Sequence, residues 1–289
     1  MGSSSRDRTD ASRTPFSDAL RAGPGTDLGA IDPRGTPAFE GKKKHGKKAL
    51  VSADDELGQL QELLYANGVA GGRQRILLVV QGMDTAGKGG IMRHVIGSVD
   101  PQGVDLTAFK APTEEERRHP FLWRIRKALP EAGRIGVFDR SHYEDVLIVR
   151  VHDLVPRRQW ARRYATINRF EAQLAEQGTT LIKVMLHLSK KEQRERLAKR
   201  LERPDKHWKY NPGDVDERRH WDDYREAYQA VLDQCSTGHA PWFVVPADRK
   251  WYARLAVQQL LLEHLRGLGL RWPEADFDVE AEKARLAAS

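Results

Sequence analysis

Residues 76–90 read ILLVVQGMDTAGKGG: a short aliphatic run, Ile76-Leu77-Leu78-Val79-Val80, passes straight into a glycine-rich turn that carries one lysine. Such a run suits a strand buried on both faces. Glycines at 82, 87, 89 and 90 let backbone N–H groups close around an oxyanion, the helix expected next adds its positive N-terminus, and Lys88 supplies a mobile cation. Gly82-x4-Gly87-Lys88 has the spacing of a P-loop, so Gly82, Thr85, Ala86, Gly87, Gly89 and Gly90 are the expected phosphate-cradling positions. The chain is expected to handle phosphates.

A standard P-loop follows its lysine with Ser or Thr, whose hydroxyl holds Mg²⁺, whereas this chain has Gly89. Another ligand must then hold the metal. Asp84, inside the loop, offers hard carboxylate oxygen, and Thr85 is a second candidate. The alternative is a glycine-rich turn without a ligand; the order strand, loop, lysine, helix favours phosphate.

Further apolar runs recur at 104–109 (VDLTAF), 135–138 (IGVF), 181–188 (LIKVMLHL) and 242–246 (WFVVP), separated by segments that suit helices. This pattern predicts an α/β fold with a mainly parallel sheet of five strands covered on both faces. Trp160, Tyr164, Ile167, Phe170 and Leu174 recur at helical steps before Gly178 and mark an amphipathic helix with a C-terminal stop. In such sheets ligands bind beyond the carboxyl ends of the strands, where Asp84, Lys88 and Asp139 all fall.

Residues 135–146 read IGVFDRSHYEDV, so a short strand delivers Asp139 to the edge from which a Walker-B-type aspartate reaches Mg²⁺. Arg140 is a candidate for holding transferred phosphate, with pairing to Glu144 as the alternative. Ser141 and Glu144 have capping-box spacing, so Glu144 is either an acceptor-site residue or part of a helix start. His142 is not required as a base, because phosphoryl transfer depends mainly on positioning and charge neutralisation. After the second strand, Lys110 and the run Thr113–Arg118 form a loop-to-helix junction at the same edge, with Thr113 and Glu116 spaced as a capping box. Lys110 is expected to face phosphate; Arg117 and Arg118 either join it or pair with the neighbouring glutamates. Asp248 and Lys250, just past the last strand, are placed to contact base or sugar by position alone.

From Ser189 the chain reads SKKEQRERLAKRLERPDKHWKYNPGD, a stretch whose residues 189–210 carry a net charge of +5. Arg196, Lys199, Arg200 and Arg203 fall on one helical stripe and Leu197 and Leu201 on the next, with Lys206 and Lys209 in the loop that follows. A solvated, glutamate-paired helix is the alternative to a lid closing over phosphates at about 190–220.

At 289 residues the chain can bury one substantial core, and a single cysteine, Cys235, excludes internal disulfides. No apolar run reaches membrane-spanning length or forms a secretory core near the start, so a cytoplasmic protein without a membrane partner is expected. Of the net +7, residues 1–50 hold +4, ending in Lys42-Lys43-Lys44-His45-Gly46-Lys47-Lys48. They are expected as a flexible basic tail or arm ahead of one domain over 51–289.

GMDTAGKGG, FDRSHYEDV, the KAPTEEE junction, RPDKHWKYNPGD with Trp221 and Tyr224 downstream, and PWFVVPADRKW occur in the order of the polyphosphate kinase 2 family, which the chain resembles over roughly residues 50–270. The resemblance implies a P-loop kinase fold of three α/β/α layers with a helical lid. It implies reversible transfer of a terminal phosphoryl group between inorganic polyphosphate and nucleotides, dependent on Mg²⁺ with Mn²⁺ as a substitute, and a homo-oligomer, often a tetramer. In that family glycine after the P-loop lysine is usual. By the resemblance, Asp84 and Asp139 hold the metal, Lys88 and Arg140 contact transferred or nucleotide phosphate, and Arg200, Arg203, Lys206 and Lys209 line the lid and polyphosphate channel. FDRSHYEDV with Glu144 resembles the branch acting on nucleoside monophosphates as well as diphosphates. The rival functions are an ATP-dependent nucleotide or nucleoside kinase and a basic nucleic-acid-binding protein, the latter disfavoured by scattered rather than interleaved aromatics.

Overall fold

Alternate residues of the strand Arg75–Gln81 serve two different cores, and both are apolar: Ile76, Leu78 and Val80 face one, Leu77 and Val79 the other. The same division runs along its neighbours, so the sheet is the middle of three layers. In the computed structural model, which describes residues 14–289, the strands are β1 Arg21–Ala22, β2 Arg75–Gln81, β3 Val104–Ala108, β4 Ile135–Asp139, β5 Thr179–His187 and β6 Trp242–Pro246. They lie in the order β1-β6-β5-β2-β4-β3. On one face sit the helices Lys43–Ser52, Asp54–Val69, Lys88–His94 and Lys250–Gly267; on the other, Arg157–Glu176 and Trp221–Cys235. Each fully buried aliphatic side chain contributes roughly 1.5–3 kcal/mol, so the central strands hold the edge loops in fixed positions.

The five expected strands are present and mutually parallel, but the sheet has six and is mixed. Arg21 and Ala22 pair antiparallel with Phe243 and Trp242. Two residues carry no alternating pattern, which is why this strand has no signature in the sequence.

Over residues 14–50 the expected tail or arm is an arm. Backbone N–H groups of Phe16 and Ser17 donate to the Glu263 carboxylate at 2.7 and 2.8 Å, and Phe16 and Leu20 enter one core while Leu28 enters the other. The chain then straps the carboxyl ends of β5 and β6: Ile31 O meets His187 Nε2 at 3.1 Å, Pro33 O accepts from the Asp248 N–H at 3.0 Å, and Pro37 O accepts from the Tyr252 hydroxyl at 2.7 Å. The lysines at 42–44, 47 and 48 are solvated, with all but Lys42 on the helix Lys43–Ser52, whose Gly46 lies so close to the Trp251 ring that a Cβ would not fit. Residues 1–13 of that segment lie outside the described residues.

Candidate active site

β2 hands the chain to a loop that glycine alone permits at two points. Gly82 has φ +154°, and a Cβ there would stand 3.0 Å from both Leu186 O and the Ala86 side chain; Gly87, at φ +120°, caps the helix Lys88–His94. Lys88 Nζ folds back and donates to Gly82 O at 2.8 Å, stiffening the loop and holding its charge over the cradle. Burial lowers the Lys88 pKa, helped by Arg140, while Asp84, Asp139 and Glu144 oppose the shift.

Asp139 ends β4 beside β2, and Arg140 follows in a left-handed conformation, φ +65°, with its N–H on Val80 O. That turn aims the guanidinium across the loop: Arg140 Nη2 donates to Asp84 Oδ1 at 3.0 Å. Burial opposes its charge, but Glu144 and Asp84 more than offset this and raise its pKa. The expected capping box is not made by Glu144. Ser141 accepts from the Tyr143 N–H, while the Gln81 amide, oriented to suit its neighbours, donates to Glu144 Oε1 at 3.1 Å and accepts from Ser141. Burial raises the Glu144 pKa, against Arg140 and Lys88.

Two cavities meet here. One, of about 690 Å³, is lined by Asp84, Thr85, Ala86, Gly87, Lys88, Gly89, Gly90, Lys110, Asp139 and Arg140 on one side and by the lid on the other. A second, of about 240 Å³, holds Gly82, Glu144, Glu217, Trp221, Tyr224 and Tyr228. Asp84, Arg140 and Asp214 line both. Of the junction after β3, Lys110 reaches the large cavity, whereas Arg117 and Arg118 do not line it; Thr113 and Glu116 form the expected capping box.

The lid helix Lys190–Leu201 starts at Ser189, whose N–H and hydroxyl both donate to the Asp248 carboxylate at 2.8 Å. Asp248 is therefore committed to the helix start rather than to a base or sugar. Arg196 is also corrected: it is 4 % exposed, and its guanidinium donates to Glu192 and to the carbonyls of Thr85, Ala86, Ala247 and Asp248. Four of its N–H groups brace the P-loop against the segment after β6 and the fifth is taken by Glu192 on its own helix, so Arg196 is a strut in the cavity wall and not a free channel cation. The other lid cations sit over the cavity but are held by lid acids. Arg200 pairs with Asp214 at 3.1 Å, and Arg203 and Lys206 both pair with Asp205 at 2.8 and 3.0 Å. Hydrogen bonds from Arg203 and then Lys206 draw the Asp205 pKa down to about 2. Lys199 lies 3.9 Å from Glu195, and Lys209 lies over the exposed Trp208 ring.

Three basic residues of the large cavity escaped the sequence reading, Arg93, His94 and Arg254; Lys250, expected near base or sugar, lines that cavity with them. Lys250 and Arg254 are one helical turn apart, a signal that was available; Arg93 and His94 end the P-loop helix, where nothing local distinguishes them from a solvated terminus.

The donor set fits a hard cation. Among the described residues no three His, Cys, Asp or Glu side chains gather as a protein-only metal site, but Mg²⁺ characteristically takes one or two carboxylates and completes its shell with water and phosphate oxygens. Asp84 and Asp139 line the same cavity, and the Asp139 carboxylate makes no hydrogen bond or ion pair among the described residues. The Thr85 hydroxyl is buried without a hydrogen-bond partner among them.

A glycine cradle with a half-buried lysine, two carboxylates and a basic helix across the cavity, on a doubly covered sheet, define a P-loop-type phosphoryl-transfer site. Residues 40–269 match the profile of the polyphosphate kinase 2 family, and the chain belongs to that family. It is 46 % identical over 250 residues to an AMP/ADP-polyphosphate phosphotransferase of Meiothermus ruber, covering 86 % of this chain and 92 % of that one. It is 43 % identical over 269 residues to an ADP-polyphosphate phosphotransferase of Rhodopseudomonas palustris, covering 88 % and 91 %. The crystal structure of polyphosphate kinase 2 from Arthrobacter aurescens TC1 superposes with a TM-score of 0.94 at 57 % identity, covering 96 % of this chain and 98 % of that one. No helix among the described residues is long and apolar enough to cross a membrane.

Proposed function

We propose that this chain moves the terminal phosphoryl group between inorganic polyphosphate and AMP or ADP, reversibly. The observation that carries this is the junction of two unlike cavities at Asp84, Arg140 and Asp214. The large one is walled by cations and suits a donor with neither base nor sugar; the small one, with Trp221, Tyr224 and Tyr228, offers aromatic faces to a nucleoside. Donor and acceptor phosphates thus approach each other beside Lys88.

Asp84 and Asp139 are the residues that would hold Mg²⁺, or Mn²⁺ in its place, and the ion when bound neutralises charge shared by the two sets of phosphates. Lys88 and the P-loop N–H groups orient the transferring group, and Arg140 offsets charge spread over its equatorial oxygens. Closure of the lid brings Lys199, Arg200, Arg203, Lys206 and Lys209 onto the donor and excludes water that would otherwise accept the phosphoryl group. No general base is needed, since an acceptor phosphate is already anionic; His142, fully buried against Glu171, is out of reach of substrate. Glu144, held to the small cavity by Gln81, is the residue proposed to accommodate a monophosphate acceptor.

A cytoplasmic homo-oligomer belongs to the same proposal. The only cysteine is a buried free thiol, and exposed Trp272, Phe277 and Leu286 offer apolar surface to another copy. Supplying polyphosphate with AMP or ADP and no ATP tests the function: ADP and ATP are expected to form. Product that forms only when ATP is the donor would mark an ATP-dependent nucleotide kinase instead.

A further inference from the structure

Lys183 sits in the middle of the longest strand among the described residues. It lies within β5, LIKVMLHL, is 0 % exposed, and donates from Nζ to Glu171 Oε2 at 2.6 Å, Tyr143 Oη at 2.8 Å and Cys235 O at 2.7 Å. Glu171, also 0 % exposed on the helix Arg157–Glu176, receives the Tyr143 hydroxyl at 2.8 Å and faces His142 Nε2 at 3.1 Å. His142 Nδ1 is buried without a partner among the described residues, so the contact of its ring with Glu171 runs through Nε2, as donor to the carboxylate. Burial works against the charge on Glu171, but Lys183 more than offsets this and holds its carboxyl below the ordinary range, while burial lowers the Lys183 pKa against the pull of Glu171.

Desolvating two charges is costly, and an apolar pair of similar volume commonly serves stability as well or better. The placement of this pair shows what it does instead. Tyr143 and His142 belong to the turn that carries Arg140 and Glu144, and the turn has two faces: residues 142 and 143 point into the core, while 140 and 144 line the small cavity. Ser141 and Gln81 tie the two faces together.

We propose that the buried Lys183–Glu171 pair is a positioning device for the acceptor site, clamping Tyr143 and His142 so that the same turn presents Arg140 and Glu144 at one fixed angle to the acceptor phosphate. The inference rests on the assignment of the small cavity to the acceptor nucleotide. Lys183, Glu171 and Tyr143 are positioning residues that never touch substrate; they work by restricting a backbone that already holds Arg140 at φ +65°. Arg140 and Glu144 are the groups they serve.

The test is Tyr143→Phe, which removes the tie through the Tyr143 hydroxyl while leaving His142 on Glu171 and Lys183 on Glu171 and Cys235 O, together with Lys183→Met/Glu171→Leu, which replaces the pair by apolar groups and removes both ties to the turn. Expected is a fall in kcat with AMP of about tenfold and a rise in the AMP KM of several-fold, while the polyphosphate KM stays within about twofold. Val231→Ala, a packing loss on the same face of the sheet, is the control and should not separate the two substrates. Should the double variant fail to fold, Tyr143→Phe alone decides. Kinetic constants unchanged from wild type, or changed equally for both substrates as a packing loss would do, overturn the inference. A wild-type enzyme inactive with polyphosphate and AMP would instead overturn the functional assignment on which it rests.

Discussion

Arg140 and Asp84 are joined at 3.0 Å across the mouth of the P-loop, and both line both cavities. The ends of β2 and β4 are thereby fixed to each other at the point where donor and acceptor would meet. Asp139 stands beside this pair with no ion-pair partner among the described residues, and Lys88 stands behind it on Gly82 O. Both act on charge rather than packing. Lys88→Ala and Asp139→Asn are therefore expected to lower kcat by roughly 10²–10³, about 2.7–4 kcal/mol, with melting temperatures close to wild type. Paired turnover and thermal-melt measurements check this.

Arg196 should behave in the opposite way to its exposed neighbours on the lid. Removing a buried guanidinium strands Glu192 and four carbonyls, so Arg196→Met is expected to cost about 3–5 kcal/mol and to lower Tm by on the order of 10 °C. Lys199→Gln, at a side chain 63 % exposed, should leave Tm unchanged and raise the polyphosphate KM. Calorimetry together with substrate titration separates the two behaviours.

Asp205 competes with phosphate for the lid cations, because it holds Arg203 through two hydrogen bonds and Lys206 through an ion pair. Asp205→Asn is expected to lower the polyphosphate KM by about two- to threefold at low ionic strength, and the advantage should vanish near 0.5 M salt, where exposed charges are screened over roughly 4 Å. A KM series against salt reads the effect.

Glu144 should be a site where function is kept at the expense of stability. Its carboxyl pKa is raised by burial, so the folded state binds the proton more tightly than the unfolded chain. The wild type then loses stability as pH rises from the ordinary carboxyl range through the folded pKa. Glu144→Gln, which can still accept from Gln81, is expected to match or exceed the wild-type Tm at pH near 7, with the gap closing as pH falls toward about 4.5. Melting curves across that window check the sign, and phosphorylation of AMP should fall in the variant.

The sheet was legible because four of its parallel strands, β2, β4, β5 and β6, are buried apolar runs bounded by turn residues, and the P-loop because its glycines are set by backbone geometry that few other residues satisfy. β1 was not, being too short to show a period, and the segment before residue 50 could be read only as tail or arm, because Phe16, Leu20 and Leu28 enter the cores singly from a polar, glycine-rich context. The helical wheel placed Arg196 with Lys199, Arg200 and Arg203 correctly, yet a wheel carries no information on which end of a stripe lies against another loop. Lys183 is a fully buried charge inside a strand, a conflict visible in LIKVMLHL, and its resolution through Glu171 and Tyr143 needed the third dimension.

The most direct test is a crystal soaked with Mn²⁺, ADP and a short polyphosphate. The anomalous peak is expected against the carboxylates of Asp84 and Asp139, with a phosphate of each substrate within reach of Lys88 and the base among Trp221, Tyr224 and Tyr228. A peak elsewhere, or a nucleotide base lodged in the large cationic cavity, would contradict the assignment of donor and acceptor to these two sites.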